Sequence, residues 1–187
     1  MKSLVTSLVK VLLLFLSNGL VWLVTSLRSG NVKILAIDPS SNKIKTSTTG
    51  IVLLDNARLE CSWVASYGMR GFKEWYTTIG FDLEPDVVVV EKFEARDNDK
   101  SKDNSVLETI AFIEMCYPDL ILQRNAGYKS DIPDNLLKIL GLWKFEKSHH
   151  QDCRAAARLG LFYAMRNDIE EVVQDIGKVV IEHRNHA

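Results

Sequence analysis

Three carboxylates occupy positions where α/β proteins commonly hold functional groups. Asp38 follows the apolar run 32–37, Glu91 follows four consecutive valines, and Asp152 opens an alanine- and leucine-rich segment. The first two end predicted strands, and the carboxyl edge of an α/β sheet is where ligands usually bind. His149 precedes Asp152 by three residues, so both can share one helix face. Carboxylates with one imidazole can hold Mg²⁺ or Mn²⁺.

Each of these residues also has an ordinary structural interpretation. An aspartate before proline, as in Asp38-Pro39, is a common turn residue. Glu91 at a strand end can simply be solvated, and Asp152 suits the first turn of a helix because of the helix dipole. The three together, in this order and on these elements, favour a metal site. Two ions about 4 Å apart could activate a water and stabilise the leaving oxygen of a phosphodiester.

The elements that must position these side chains follow from hydrophobic periodicity. Short apolar or alternating runs predict strands at 32–37, 50–54, 58–67, 86–90 and 119–122. Helical spacing predicts helices at 71–83, 105–116, 132–143, 152–166 and in the tail 168–187. The four valines indicate a strand buried on both faces. We therefore expect an α/β domain: an antiparallel meander within a mixed sheet, with helices on its faces.

Three stretches combine these residues with further motif positions. The first, ILAIDPSSNKIKTSTTGIVLLD, carries Asp38-Pro39-Ser40-Ser41 and Thr49-Gly50. The second, VVVVEKFEARDNDKSKDNSVLETIAFIE, is a hydrophobic strand ending in Glu91, then a loop and a helix. The third is HHQDCRAAARLGLFYA, with cysteine at 153 where alanine is usual. Together they resemble RuvC-like Holliday junction resolvases of the ribonuclease H-like superfamily, and among these the phage-type members.

The resemblance implies a fold, a reaction and a site. The fold is a ribonuclease H-like mixed β-sheet flanked by helices. The reaction is Mg²⁺-dependent hydrolysis of branched DNA, leaving 5′-phosphate and 3′-hydroxyl ends, by a homodimer with one site for each of two strands. Asp38, Glu91 and Asp152 would be the acidic metal ligands, and His149 would take the fourth position. His150 is the neighbouring alternative if the helix register differs by one residue.

Basic residues near the predicted site are candidates for contacts to DNA phosphates. Two predicted loops carry them: Lys43 and Lys45 in the first, and Lys92, Arg96, Lys100 and Lys102 in the second. The alternative is that neighbouring aspartates neutralise the second loop and the charges only keep it soluble. Phe93 can either stack on an opened base or pack in the core.

The first 31 residues differ in composition from residues 32–187, which we take as the nuclease domain. From Leu4 to Leu27 the only charged residue is Lys10, so the stretch is an apolar N-terminal extension. Three interpretations stay open: a membrane-associated helix, a signal peptide, or an extension that is not native to the domain.

Composition restricts the other classes of function. Hydrophobic residues make up 47% and charged residues 25% of the chain, and the net charge is -1, so a disordered chain or a uniformly basic coat protein is excluded. Three separated cysteines form no metal or disulfide framework and favour a reducing compartment, the cytoplasm, which for a phage protein is that of the bacterial host. Two alternatives stay open: another ribonuclease H-like nuclease, acting on RNA–DNA hybrids, and a non-catalytic junction-binding protein.

Overall fold

The computed structural model describes residues 12–16, 19–23, 30–94, 104–146 and 150–186, and the chain divides into two compact units, 1–30 and 31–187. In the first unit, β1 (Leu12–Leu16) pairs antiparallel with β2 (Gly19–Leu23). The helix expected by one interpretation is therefore not formed over these two segments. No helix among the described residues is both long enough and apolar enough to cross a membrane.

The second unit is built on a mixed five-stranded sheet. Its strands, in the spatial order β5-β4-β3-β6-β7, are β3 (Lys33–Asp38), β4 (Thr48–Asp55), β5 (Arg58–Ser66), β6 (Val87–Glu91) and β7 (Ile121–Gln123). Strands β3, β4 and β5 form the expected antiparallel meander, whereas β6 and β7 continue the sheet parallel to β3. The predicted fold class, an α/β domain with a mixed sheet, is confirmed.

Six helices flank this sheet within the described residues. They are α1 (Gly68–Thr78), α2 (Ser105–Cys116), α3 (Tyr128–Asp131), α4 (Asp134–Ile139), α5 (His150–Arg166) and α6 (Glu170–His186). The helix predicted over 132–143 is shorter than expected. Pro133 disfavours helical geometry in the residue before it, and Gly141 takes a φ of 74°, which ends the segment. The helix predicted over 71–83 ends at Thr78 and is followed by a 3₁₀ turn, Gly80–Asp82.

Side-chain alternation along the strands creates a hydrophobic core on each face of the sheet. Ile34 and Ala36 belong to the core shared with α5, whereas Leu35 and Ile37 belong to the core that contains residues of α1 and α2. The valines of β6 divide in the same way, and this confirms the prediction of a strand buried on both faces. The central strands are thereby held rigidly from both sides.

Helix α5 lies unusually close to the sheet because it presents small residues to it. A Cβ atom on Gly160 would lie 3.0 Å from the Cβ of Ala36 and 3.2 Å from a methyl carbon of Leu54. Ala156, Ala157 and Ala164, on the same helix, are fully buried. This close packing fixes the direction in which α5 leaves its first turn, where Asp152 is located.

We predict that a chain beginning at Asn31 folds like the full chain, because residues 31–187 contain the whole sheet and both cores. Its thermal unfolding midpoint should equal that of the full chain within a few degrees, as measured by circular dichroism. Asn31 should be retained, because its side-chain amide donates a hydrogen bond to Asp55 (3.0 Å). Loss of cooperative unfolding in the shortened chain would show that residues 1–30 are needed for the fold.

Candidate active site

The fold brings the three predicted carboxylates to one edge of the sheet. Asp38 is the last residue of β3 and Glu91 the last residue of β6, and these two strands are parallel neighbours. Asp152 lies in the first turn of α5, on the same edge. The charges of Glu91 and Asp152 both act on the carboxyl group of Asp38. Residues far apart in sequence therefore form one acidic cluster.

Gly50 allows Asp152 to reach this edge. It pairs directly with Asp38 across β3 and β4. A Cβ atom at Gly50 would lie 2.3 Å from the carbonyl carbon of Asp152 and 2.8 Å from the amide nitrogen of Cys153, which is closer than atoms can approach. Only glycine leaves room for the backbone of α5 at this point, so the Thr49-Gly50 motif has a direct steric role.

Burial and like charges raise the pKa of Asp38 well above its usual range. Loss of solvation is the largest cause, followed by the negative charges of Glu91 and Asp152 and a hydrogen bond with Glu91. Burial also raises the pKa of Glu91, although hydrogen bonds from Asp38 and Asn125 act in the opposite direction. The pair therefore tends to retain a proton when no cation is present.

Two neutral side chains hold the other oxygens of the cluster. The side-chain amide of Asn125, just beyond β7, donates a hydrogen bond to Oε1 of Glu91 at 2.6 Å. The hydroxyl of Thr48, at the start of β4, donates to Oδ2 of Asp152. Glu91 and Asp152 are thus each oriented by a donor from a neighbouring element, which limits the number of rotamers they can adopt.

Arg158 connects α5 to the segment beside the acidic pair. It is buried, its Nε donates to the carbonyl oxygen of Ile132 at 2.9 Å, and its Nη2 pairs with Asp134. The guanidinium also lies 5.5 Å from the ring centre of Tyr128. Burial and the charges of Glu91 and Asp38 raise the pKa of the Tyr128 phenol, so its hydroxyl stays protonated near the site.

A hydroxyl network holds the loop after Asp38. The backbone amide of Ser40 donates to Oγ1 of Thr49 (3.1 Å), and Thr109 of α2 donates to the carbonyl oxygen of Ser40 (3.0 Å). The hydroxyls of Ser41 and Ser105, the latter opening α2, lie 2.8 Å apart. These contacts tie the loop to α2 and keep the end of β3 from moving.

The other residues predicted to belong to the site are described by the structure only in part. Four of them, His149, Arg96, Lys100 and Lys102, lie outside the described residues. Lys43, Lys45 and Lys92 are exposed on the loops that follow β3 and β6, as expected for candidates to bind phosphate. Phe93 is partly buried and packs against the core on the α1 and α2 side, which agrees with its structural interpretation. Its stacking on a base stays a prediction.

Sequence reasoning missed Thr48, Asn125 and Tyr128. Asn125 follows a strand of the parallel part of the sheet by two residues, so its position at the carboxyl edge was a usable signal. Thr48 stands directly before the Thr49-Gly50 motif and is distinguished from its neighbours only by its contact with Asp152. No pattern in the sequence singles out Tyr128.

The donor set suits a divalent cation, although the described residues do not complete a site. Within residues 30–94, 104–146 and 150–186, no group of three or more histidine, cysteine, aspartate or glutamate side chains has the arrangement of a metal site. Asp38 and Glu91 nevertheless form a hydrogen-bonded carboxyl pair, and every interaction acting on Asp38 disfavours its charged form. Such uncompensated oxygen ligands match the chemistry of Mg²⁺ or Mn²⁺.

Comparison with known proteins identifies the architecture as a ribonuclease H-like fold, a mixed five-stranded sheet flanked by helices. One similar solved structure is T. thermophilus RuvC in complex with a Holliday junction substrate, with a TM-score of 0.55 and 14% sequence identity. The match covers 75% of this chain and 97% of that chain. No family model and no curated protein matches the sequence. The structural likeness establishes the fold.

We predict that Gly50→Ala destabilises the protein and displaces Asp152. The new methyl group would overlap the backbone of α5, and overpacking of this kind costs about 1–3 kcal/mol. Chemical denaturation should show that loss. Gly177→Ala is the matched control: nothing lies within 4 Å of its added Cβ, so removing a helical glycine should stabilise α6 by up to about 1 kcal/mol. Equal stability of the two variants would disprove the steric role of Gly50.

We also predict that Asp38→Asn stabilises the cation-free protein increasingly as the pH rises. A carboxyl whose pKa is raised by folding ionises first in the unfolded chain, so wild-type stability falls once the pH exceeds the unfolded pKa of about 4. The asparagine variant does not lose stability in this way. The difference between its thermal unfolding midpoint and that of the wild type should therefore grow from pH 4 to pH 8 in EDTA. Asp82→Asn, at an exposed position, controls for removal of one charge. A constant difference across this range would contradict the prediction.

Proposed function

We propose that the protein is a metal-dependent, structure-selective DNA endonuclease that resolves Holliday junctions or other branched DNA. The observation that carries the proposal is the partly buried Asp38–Glu91 pair, with Asp152 beside it, at the carboxyl edge of a ribonuclease H-like sheet. Burying like charges destabilises a fold, so such a cluster is expected where the charges serve a ligand. Phosphodiester hydrolysis is the reaction that this donor set supports best.

The residues of the chain prepare the site before substrate arrives. Asp38 and Glu91 supply carboxylate oxygens from two rigid strands, and Asn125 fixes the orientation of Glu91. Thr48 holds Asp152, so the third carboxylate keeps its direction at the start of α5. Because the fold fixes these carboxylates, the side chains of the site need little reorganisation when negative charge develops on a phosphate.

Asp38, Glu91 and Asp152 would hold the divalent cation, with His149 as a fourth ligand. When bound, Mg²⁺ or Mn²⁺, as one ion or two, supplies charge neutralisation and lowers the pKa of an attacking water. The protein's own part is to present the carboxylate oxygens of Asp38 and Glu91 from neighbouring strands, and to keep the three carboxylates on one side of the scissile phosphate.

The proposal includes a preference for branched DNA. The similar solved protein, T. thermophilus RuvC, is bound to a Holliday junction, and its chain is covered almost completely by the match. A homodimer would place one acidic cluster on each of two strands, which suits symmetric cleavage of a four-way junction into 5′-phosphate and 3′-hydroxyl ends. The motifs resemble those of phage-type members, and we propose action in the cytoplasm of a bacterial host.

We predict that Asp38→Asn and Glu91→Gln each lower cleavage by about a hundredfold or more, because each removes charge that stabilises the transition state. The full chain is incubated with four-way, flap and linear duplex DNA and with an RNA–DNA hybrid, with Mg²⁺ or with EDTA. The four-way junction should be cut fastest, and only with the metal. Glu114→Gln, an exposed glutamate on α2, is the control and should cleave normally.

Each outcome of this experiment separates the alternatives. Faster cleavage of the hybrid would identify a nuclease of a different substrate class on the same fold. Junction binding without any cleavage would indicate a non-catalytic binding protein. Normal cleavage by Asp38→Asn would refute the site assignment itself.

A further inference from the structure

A second set of polar residues surrounds a pocket in the connection between α4 and α5. Lys138, Gly141, Trp143 and Lys144 line this pocket, which has a volume of about 460 Å³ and is called the Trp143 pocket below. Lys138 and Lys144 are exposed, whereas Trp143 is partly buried and packs against the core on the α5 side. The pocket therefore has an aromatic wall held by the core and two exposed lysines at its edge.

Trp143 organises the cations around it. The Nζ atom of Lys138 lies 4.9 Å from the centre of the tryptophan ring, and the guanidinium carbon of Arg154 lies 4.3 Å from it. Cations at these distances are attracted by the negative face of the ring. Because the ring is held by the core, these side chains lose less conformational freedom when they bind an anion than free surface cations would.

The charged residues that line the Trp143 pocket are both basic. No acidic residue lines it, and among the described residues no carboxylate forms an ion pair with Lys138 or Lys144. The pocket beside β7 differs in this respect: its Arg124 pairs with Glu94 at 2.7 Å, and its Arg166 pairs with Asp131 at 3.1 Å. The Trp143 pocket is therefore the better anion site of the two.

Its position links it to the acidic cluster. Arg154 follows Asp152 by two residues, so the first turns of α5 carry both a proposed metal ligand and the guanidinium that lies against Trp143, on different faces of the helix. An extended polyanion would pass around the first turns of α5 to contact both. A DNA strand has this form, since its phosphates repeat at short, regular intervals.

We propose that the Trp143 pocket binds the sugar–phosphate backbone of the DNA substrate where the strand passes the first turns of α5. This inference rests on the proposed function, and it adds a contact surface separate from the loops after β3 and β6. Lys138 and Lys144 neutralise phosphates, and the ring of Trp143 holds Lys138 and Arg154 in place. Contacts of this kind set position and affinity without reading the base sequence.

The test measures binding of the full chain to a four-way DNA junction in EDTA, so that binding is separated from cleavage. The double variant Lys138→Ala/Lys144→Ala should bind about tenfold more weakly, and the slope of log K against log salt should become shallower by about 1 to 2, because up to two phosphate contacts are lost. The double variant Lys73→Ala/Lys178→Ala, which removes the same charge from exposed sites on α1 and α6, should keep the wild-type slope.

Further single variants distinguish a loss of DNA binding from a folding defect. Lys144→Glu changes one exposed side chain and should weaken binding more than Lys144→Ala does. Trp143→Phe keeps an aromatic ring and should bind nearly as wild type, whereas Trp143→Leu should bind more weakly with its circular dichroism spectrum unchanged. Equal weakening by the phenylalanine and leucine variants would show that the ring does not organise the cations.

The outcomes distinguish this inference from the proposed function. If the wild type cleaves junctions and the lysine variants bind as tightly as the control, the Trp143 pocket is not a DNA site, while the nuclease assignment stands. If the wild type binds junctions without cleaving them, and the lysine variants bind more weakly, the pocket is a DNA site on a non-catalytic protein. If no DNA is bound at all, both proposals are wrong.

Discussion

The approach of α5 to Gly50 is the contact on which the acidic cluster depends. The backbone of Asp152 lies so close to β4 that no side chain fits between them, and Gly50 is also the residue that faces Asp38 across the strands. One glycine thus sets the distance between two carboxylates contributed by elements more than a hundred residues apart in sequence. The same helix returns to the sheet at Gly160, so its position is fixed at two points rather than one.

The closely fixed backbone positions hold an acidic cluster that destabilises the fold. Asp38 and Glu91 are partly removed from water, and the neighbouring charges disfavour ionisation of Asp38. Two hydrophobic cores hold the strands that carry them, and Asn125 limits the rotamers of Glu91, as Thr48 does those of Asp152. The rest of the domain therefore offsets the cost of the site, as expected when binding of a cation, rather than stability of the empty protein, determines which residues are present.

Local patterns predicted the parts of this structure that depend on neighbours in sequence. The helix Ser105–Cys116 and the doubly buried valine strand follow from composition and periodicity over a few residues. The antiparallel pair of strands at 12–23 was not predicted, since an apolar stretch has the same composition as a strand or a helix. The hydrogen bond from Asn125 to Glu91 and the effect of the acidic pair on Tyr128 could not be predicted either, because they arise only when β7 and α3 are placed near β6 by the whole fold.

Basic side chains near α5 explain how an acidic cluster could act on a polyanion such as DNA. Three carboxylates alone would repel DNA, and a cation bound between them reduces that repulsion only at the point of reaction. Attraction over the remaining length of a strand needs cations elsewhere, and Trp143 gathers Lys138 and Arg154 close to the first turn of the same helix. In the proposed nuclease the acids would act through a metal and the bases directly on phosphates, so the two sets need not neutralise each other. Asp152 and Arg154 belong to the same helix, and the close packing of α5 against Gly50 fixes the position of both relative to the sheet.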